Sequence, residues 1–188
     1  MPWAAGYEQM DGDMKRLMIF IDNSNIFRGS RRENIKFDYQ KLVSFLAEAA
    51  IERYDLTRVI MYCAVDRSQP ESKIRSQEEL YSVFNSFLKF DVKTFDLKVI
   101  RDVSGNVTDR YEKGVDVALV TDLLLLASRN AFDVAFICAG DADFFRAVEG
   151  VKDMGKEIYV ASFDGSCSQK LRDASLGYIS LTRNAEKF

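Results

Sequence analysis

The chain has 188 residues, 47% of them hydrophobic, and its 26 basic and 29 acidic residues leave a net charge of -3 at pH 7. This length and apolar content suit one compact domain with a full core, and the net charge excludes the overall positive field of a typical tight DNA-binding protein. The sequence contains no histidine, which removes the usual general base, the Ser-His-Asp triad and the commonest zinc and copper ligand. We therefore expect any catalytic chemistry to use oxygen ligands.

From the sequence we expect no export signal and no membrane span. No apolar run approaches the length of a membrane span, and residues 1–15 lack the basic start and apolar centre of a signal peptide. We expect a flexible lead at residues 1–15, a single domain over residues 16–188, no membrane partner and a cytoplasmic location. The three cysteines have no C-x-x-C spacing, which indicates reduced thiols.

The apolar pattern predicts strands that alternate with helices along the chain. Strands are predicted at 17–21, 58–65, 91–101, 133–139, 156–162 and 178–181. A short helix or turn is predicted at 26–32, and helices begin at Asp38 and cover 71–88, 114–130, 143–154 and 168–174. The polar segment 102–112 is predicted to be a loop mobile enough to fold over a ligand. This alternation favours an α/β fold whose mainly parallel sheet is covered on both faces, with residues 91–101 near a sheet edge.

Two aspartates directly follow predicted core strands. Asp22 comes after five apolar residues that do not alternate, a pattern typical of a strand buried on both faces, and Asp141 follows the apolar run 136–140. Ligands of an open parallel sheet bind beyond the carboxyl ends of the strands, where the strand order reverses. We expect both aspartates at that edge.

A third aspartate begins a predicted helix. With 100° per residue, Asp116 shares a helix face with Leu119, Val120 and Leu123, whereas Asp122 falls on the opposite, polar face. Asp116 is therefore predicted to lie at the rim of the sheet, near the strand ends.

Carboxylates gathered in a partly buried place repel one another by several kcal/mol unless a cation neutralises them. Carboxylate, amide and water oxygens favour Mg²⁺ or Mn²⁺, and such an ion can activate a water and orient a phosphodiester. The structural alternative is that each acid serves a helix. Asp22 and Asp141 would be caps, and Asp116 and Asp143 would be acids in a first turn, favoured there by the helix dipole.

Three motifs in order resemble a known family. They are F-I-D-N-x-N at 20–25, K-G-V-D-V-x-L at 113–119 and G-D-x-D-F at 140–144. Over residues 17–163 the chain resembles NYN domains of the LabA-like branch, which are relatives of the PIN-domain nucleases. The resemblance implies a three-layer α/β/α, PIN-like fold and a metal-dependent ribonuclease that cleaves RNA by metal-activated water.

The resemblance also implies roles for single residues. Asp22, Asp116 and Asp141 would bind Mg²⁺ or Mn²⁺, and Asp143 would be a fourth acid of the catalytic cluster. Asn25 would be a polar partner in the pocket, and Lys113 would meet phosphate. Asp122 falls on a position that is often acidic in this branch, and its predicted helix face favours a structural role.

Basic residues near these motifs are candidates for binding RNA phosphates. The candidate substrate-binding set is Ser24, Asn25, Arg28, Arg31, Arg32, Arg110 and Lys113, with Lys36 close by. A solvated turn is the alternative for the arginines that follow Asp22. Phe27 and Tyr111 are candidates for stacking on bases, with packing in the core as the alternative. A homodimer is compatible with the sequence, although no motif indicates one.

Two other functions remain open. A module of the same fold could bind RNA or a protein without cutting. A haloacid-dehalogenase-like phosphatase would also have an aspartate after its first strand, but it needs a second acid two residues later, where this chain has Ser24.

Overall fold

The structure, a computed structural model, describes residues 14–48 and 54–188, without the side chains of residues 101, 110 and 112. The predicted lead therefore lies outside the described residues except for its last two positions, 14 and 15. Lys15 already belongs to the first strand.

In the part of the chain that the structure describes, a seven-stranded sheet forms the middle layer. Its strands are β1 (Lys15–Asp22), β2 (Tyr54–Val65), β3 (Phe90–Arg101), β4 (Val107–Glu112), β5 (Val134–Cys138), β6 (Glu157–Ser162) and β7 (Gly177–Ser180). They are ordered β4-β3-β2-β1-β5-β6-β7, and every neighbouring pair is parallel except β3 and β4. The mainly parallel sheet predicted from the sequence is therefore confirmed.

Within the described residues, six α-helices cover the sheet. They are α1 (Asn23–Arg32), α2 (Tyr39–Glu48), α3 (Glu71–Asn85), α4 (Val115–Ser128), α5 (Phe145–Asp153) and α6 (Gln169–Ala174). Leu17, Ile19 and Ile21 of β1 pack in the core with α1, α2 and α3, whereas Met18 and Phe20 pack in a second core with α4, α5 and α6. Since β1 is buried on both faces, its unbroken apolar run is explained, and the three-layer α/β/α arrangement is confirmed.

Local signals in the sequence set several element boundaries. The Asp38 carboxylate accepts hydrogen bonds from the backbone N–H groups of Gln40, at 2.8 Å, and Lys41, at 3.1 Å, so that it caps α2 as predicted. Gly114 precedes α4 with φ of +92°, a left-handed conformation that is costly for any residue with a Cβ.

The prediction of a mobile loop over residues 102–112 is wrong. Only its first half is a turn, in which Asp102 accepts hydrogen bonds from the N–H groups of Ser104, at 2.9 Å, and Asn106, at 2.8 Å. The second half is β4, which pairs antiparallel with β3 and forms the edge of the sheet in the described chain. β3 itself lies one strand in from that edge. An edge strand needs little apolar character, and for this reason its polar residues are easily mistaken for a loop.

The strand order reverses at β1. Along the chain, β2 and β3 are added on one side of β1, and β5, β6 and β7 are added on the other. Ile21 of β1 is in register with Cys138 of β5, so that the residues directly after these two strands emerge at the same edge. This edge is the expected position of a ligand site in an open parallel sheet.

Within the described part of the chain, no helix has the length and apolar character needed to cross a membrane.

An ion pair holds the amino end of the sheet together. The Arg16 guanidinium donates from Nε to Oδ2 of Asp133 at 3.0 Å and from Nη2 to Oδ1 at 2.8 Å, and the Arg16 backbone N–H also donates to Oδ2, at 2.9 Å. The hydrogen bond from the Arg16 side chain is the main reason why the pKa of Asp133 is lowered to about 2.

We predict that this pair contributes stability that is lost in acid. Because the folded pKa lies below the unfolded value of about 3.9, the contribution is complete above about pH 4 and disappears as the pH falls towards 2. Urea denaturation of the wild type and of Asp133→Asn, at several pH values between about 5 and 2, tests this. The free energy of unfolding should fall more steeply in the wild type. Parallel curves for the two proteins would contradict the prediction.

Candidate functional site

Asp22 and Asp141 lie at the carboxyl ends of neighbouring strands. Asp22 is the last residue of β1 and is only 3% exposed, whereas Asp141 follows β5 by three residues and is exposed. Both serve as caps. Oδ1 of Asp22 accepts from the backbone N–H of Asn25 at 3.0 Å, and Oδ1 of Asp141 accepts from that of Asp143 at 3.0 Å. The structural alternative considered for these two acids is therefore realised, together with their placement at the reversal point of the sheet.

The side chain of Asn25 connects the two strand ends. Its Oδ1 accepts a hydrogen bond from the backbone N–H of Gly140 at 2.9 Å, across 115 positions of sequence. Asn25 was predicted to be a polar partner in the pocket, and the structure gives it this positioning bond. Gly140 is buried, so that its N–H needs a partner within the protein.

Gly140 allows a third segment to reach the same place. A Cβ at this position would lie 2.1 Å from the carbonyl oxygen of Ser166 and 2.9 Å from Oγ of Ser162. The Gly140 carbonyl also accepts from the N–H of Ser168 at 2.8 Å. The glycine of the G-D-x-D-F motif is therefore required by close backbone packing, a reason that the sequence alone does not reveal.

Asp116 lies in the first turn of α4, where its side chain is exposed. The predicted sheet-facing stripe is confirmed for Leu119 and Leu123, which are fully buried. Asp116 itself is exposed, as an acid at the rim of the sheet would be, and its place near the strand ends stays a prediction. Lys113, just before the helix, and Asp143, after β5, are also exposed.

The predicted direction of Asp122 is wrong. Its Oδ2 accepts from the hydroxyl of Tyr62 and from Nζ of Lys93, both at 2.7 Å, so that the side chain faces the sheet. Tyr62 and Lys93 are neighbours across β2 and β3. Burial and the bond to Asp122 raise the pKa of Tyr62 far above its ordinary value. The prediction from the helical angle failed because it takes no account of the long side chains of Tyr62 and Lys93, which extend from the sheet to Asp122. These bonds support the structural role assigned to Asp122.

The acids are not gathered into a ready-made metal centre. Within residues 14–48 and 54–188, no group of three or more acidic or cysteine side chains is placed to hold an ion. The available donors nevertheless fit a smaller site, since Mg²⁺ is commonly bound by one or two carboxylates together with water and substrate phosphate. Asp22 and Asp141 are the pair that the fold brings to one edge.

The predicted substrate-binding residues separate into groups. Ser24, Arg28 and Arg31 line one pocket, together with Lys36. Arg32 lies elsewhere, since its Nη1 donates to the carbonyl of Gly165 at 3.0 Å. The Arg110 side chain lies outside the described residues.

The pocket itself was missed by the sequence analysis. It has a volume of about 770 Å³ and lies between α1 and α3, with residues 35–39 forming another wall. Its lining includes Phe27 and Phe84, which are far apart in sequence. No local pattern signals such a pocket, although the aromatic residues of the predicted helix at 71–88 are a partial sign of it.

We predict that Asn25→Ala destabilises the protein more than Asn25→Asp. Alanine leaves the buried N–H of Gly140 without its acceptor, which costs about 1–3 kcal/mol, whereas aspartate keeps an acceptor oxygen. Urea denaturation measures both variants. Equal stability of Asn25→Ala and the wild type would show that the bond does not hold the strand ends together.

We predict a graded effect at the Tyr62–Asp122–Lys93 contact. Tyr62→Phe removes one donor and should cost about 1 kcal/mol, because Asp122 keeps Lys93. Asp122→Ala should cost more, about 1–3 kcal/mol, since it leaves the buried Tyr62 hydroxyl without this acceptor. Thermal and urea unfolding of both variants give the order, and a larger loss in Tyr62→Phe would contradict it.

Comparisons with known proteins agree with this architecture. The sequence is 28% identical over 166 residues to the low amplitude and bright protein LabA of Synechococcus elongatus, covering 88% of this chain and 83% of that protein. The crystal structure of VPA0982 from Vibrio parahaemolyticus, a protein of unknown function, superposes with a TM-score of 0.63 at 19% identity, covering 92% of this chain and 96% of that one. The latter shows a shared fold.

The NYN domain family matches residues 16–182, from the first strand to just beyond the last. That match covers most of the chain and includes all three motifs identified in the sequence. The chain therefore belongs to the NYN domain family.

Proposed function

We propose that this NYN domain is a ribonuclease that hydrolyses RNA phosphodiester bonds with Mg²⁺ or Mn²⁺ held at Asp22 and Asp141. The observation that carries the proposal is the 2.9 Å hydrogen bond between Asn25 and Gly140. This bond holds the two acid-bearing strand ends together at the reversal point of the sheet, where ligands of such folds bind. The resemblance of the three motifs to a nuclease-related branch supports the same reading.

The chain's own residues would orient the reactants. A bound ion would supply a water made nucleophilic near neutral pH and stabilisation of the leaving oxygen. Each of Asp22 and Asp141 has one oxygen fixed by a cap bond, which sets the direction of its carboxylate. Asp116 and Asp143 are exposed acids and would add negative charge beside the ion. Lys113 would contact an RNA phosphate.

A second function is favoured by one observation. Because the described acids are not assembled into a metal centre, the same fold could bind RNA or a protein without cutting it. Cleavage assays with matched variants separate these two proposals.

We predict that Asp22→Asn and Asp141→Asn each reduce RNA cleavage by roughly 100-fold or more, as removal of one charge-stabilising group typically does. Asparagine is as good a helix cap as aspartate, so that the variants should keep the wild-type unfolding temperature. The assay follows a labelled single-stranded RNA with Mn²⁺ or Mg²⁺, and again with EDTA, which should abolish cleavage.

Asp153→Asn is the matched control. Asp153 is an exposed acid at the end of α5, and its variant should cleave like the wild type. If the wild type and both site variants show the same trace cleavage, or none on varied RNAs, the nuclease proposal fails and the binding module is favoured.

A further inference from the structure

The pocket between α1 and α3 presents apolar side chains to solvent. Phe27 is 52% exposed and Leu80 is 49% exposed, and both lie on its walls. Deeper in the lining, Tyr39 packs edge-on against Phe84, with ring centroids 5.1 Å apart. The volume of about 770 Å³ is within the usual range for binding sites of small organic groups. Exposed apolar surface around such a concavity indicates a site that a ligand covers.

The charge of the lining is positive although the whole chain is negative. Arg28, Arg31 and Lys36 contribute cations, whereas Asp38 is the acid among the described lining residues. The carboxylate of Asp38 already accepts two backbone N–H groups as the cap of α2. The Arg31 guanidinium lies over the Phe27 ring, 5.8 Å from its centroid. Aromatic surface next to cations complements a ligand that has both a flat ring and negative charge.

The pocket begins next to the candidate catalytic edge. Asn23 and Ser24, which line it, directly follow Asp22 in the first turn of α1. The hydroxyl of Tyr39 donates to Oδ1 of Asn23, which fixes this wall against the segment before α2. A nucleic acid strand with one phosphate at the ion proposed for Asp22 and Asp141 would therefore reach the pocket with a nearby nucleotide.

We infer that this pocket binds one unpaired nucleotide of the RNA strand, with the base against Phe27 and Leu80 and the phosphates near Arg28, Arg31 and Lys36. Base stacking on aromatic side chains tolerates any sequence, and the bases of a duplex are not available for it. The inference rests on the proposed function in taking RNA as the substrate. It adds that the protein selects single-stranded RNA and grips it beside the site of cleavage.

The test measures binding without cleavage. Fluorescence anisotropy with a labelled single-stranded RNA of mixed sequence, and with the same strand in a duplex, is carried out in EDTA with the Asp22→Asn protein. The single strand should bind more tightly than the duplex. In this background, Phe27→Ala should raise the Kd by about 5- to 150-fold, the range for loss of one stacked base. Arg31→Glu should raise the Kd and reduce its dependence on salt.

Each kind of change made in the pocket has a control variant at an exposed position outside it. Leu176→Ala removes an apolar side chain that is 51% exposed outside the pocket, and Arg129→Glu reverses an exposed cation at the end of α4. Both should bind RNA like the parent protein. Leu80→Glu is a second pocket variant, which places a negative charge at an exposed position and should weaken binding at unchanged unfolding temperature.

Equal affinity for single strand and duplex would overturn the inference, as would unchanged binding in Phe27→Ala and Leu80→Glu. If free uridine monophosphate bound as tightly as the strand, the inference would also fail, because the ligand of the pocket would be a mononucleotide and not part of a strand. Failure to bind either RNA would overturn the inference as well, and would favour a protein partner as the ligand of the pocket. Because these measurements use a protein that is not expected to cleave, loss of the nuclease proposal alone would leave the expected binding pattern intact.

Discussion

The hydrogen bond from the Gly140 N–H to the Asn25 side chain is the contact on which the candidate site depends. Parallel pairing of β1 with β5 ends at Ile21 and Cys138, so that pairing between these two strands does not fix the residues that follow. The amide of Asn25 continues the connection by one further bond. The Gly140 carbonyl accepts a hydrogen bond from the N–H of Ser168, and the missing Cβ of Gly140 leaves room for the Ser166 carbonyl. These two contacts bring the segment after β6 to the same edge.

The cap role and the proposed catalytic role of the aspartates support each other. A carboxylate at the start of a helix is stabilised by the backbone N–H groups and by the helix dipole, which offsets part of the cost of burying Asp22. The same bond stops the carboxylate from rotating. An acid that is oriented before substrate arrives has less conformational freedom to lose when it binds an ion or a phosphate. Structural and functional readings of Asp22 are therefore compatible.

The sequence predicts those features that depend on local pattern. The unbroken apolar runs of β1 and β5 identify central strands, and their ends place Asp22 and Asp141 at one edge because parallel strands share that edge. Features formed by distant residues are not predictable in this way. Phe27 and Phe84 line the same pocket from separate helices, side chains of β2 and β3 donate hydrogen bonds to Asp122, and β4 has the polar composition of a loop.

The central position of β1 also governs the order in which the molecule can assemble. On one edge β1 pairs with β2, which is close to it in the sequence. On its other edge β1 pairs with β5, which starts more than a hundred residues later at Val134. Such a distant pairing closes a long loop of chain, which slows folding relative to local contacts. Asp22 therefore leaves the ribosome far ahead of Asp141, and a nascent chain that stops before β5 has only half of the edge on which the two acids meet.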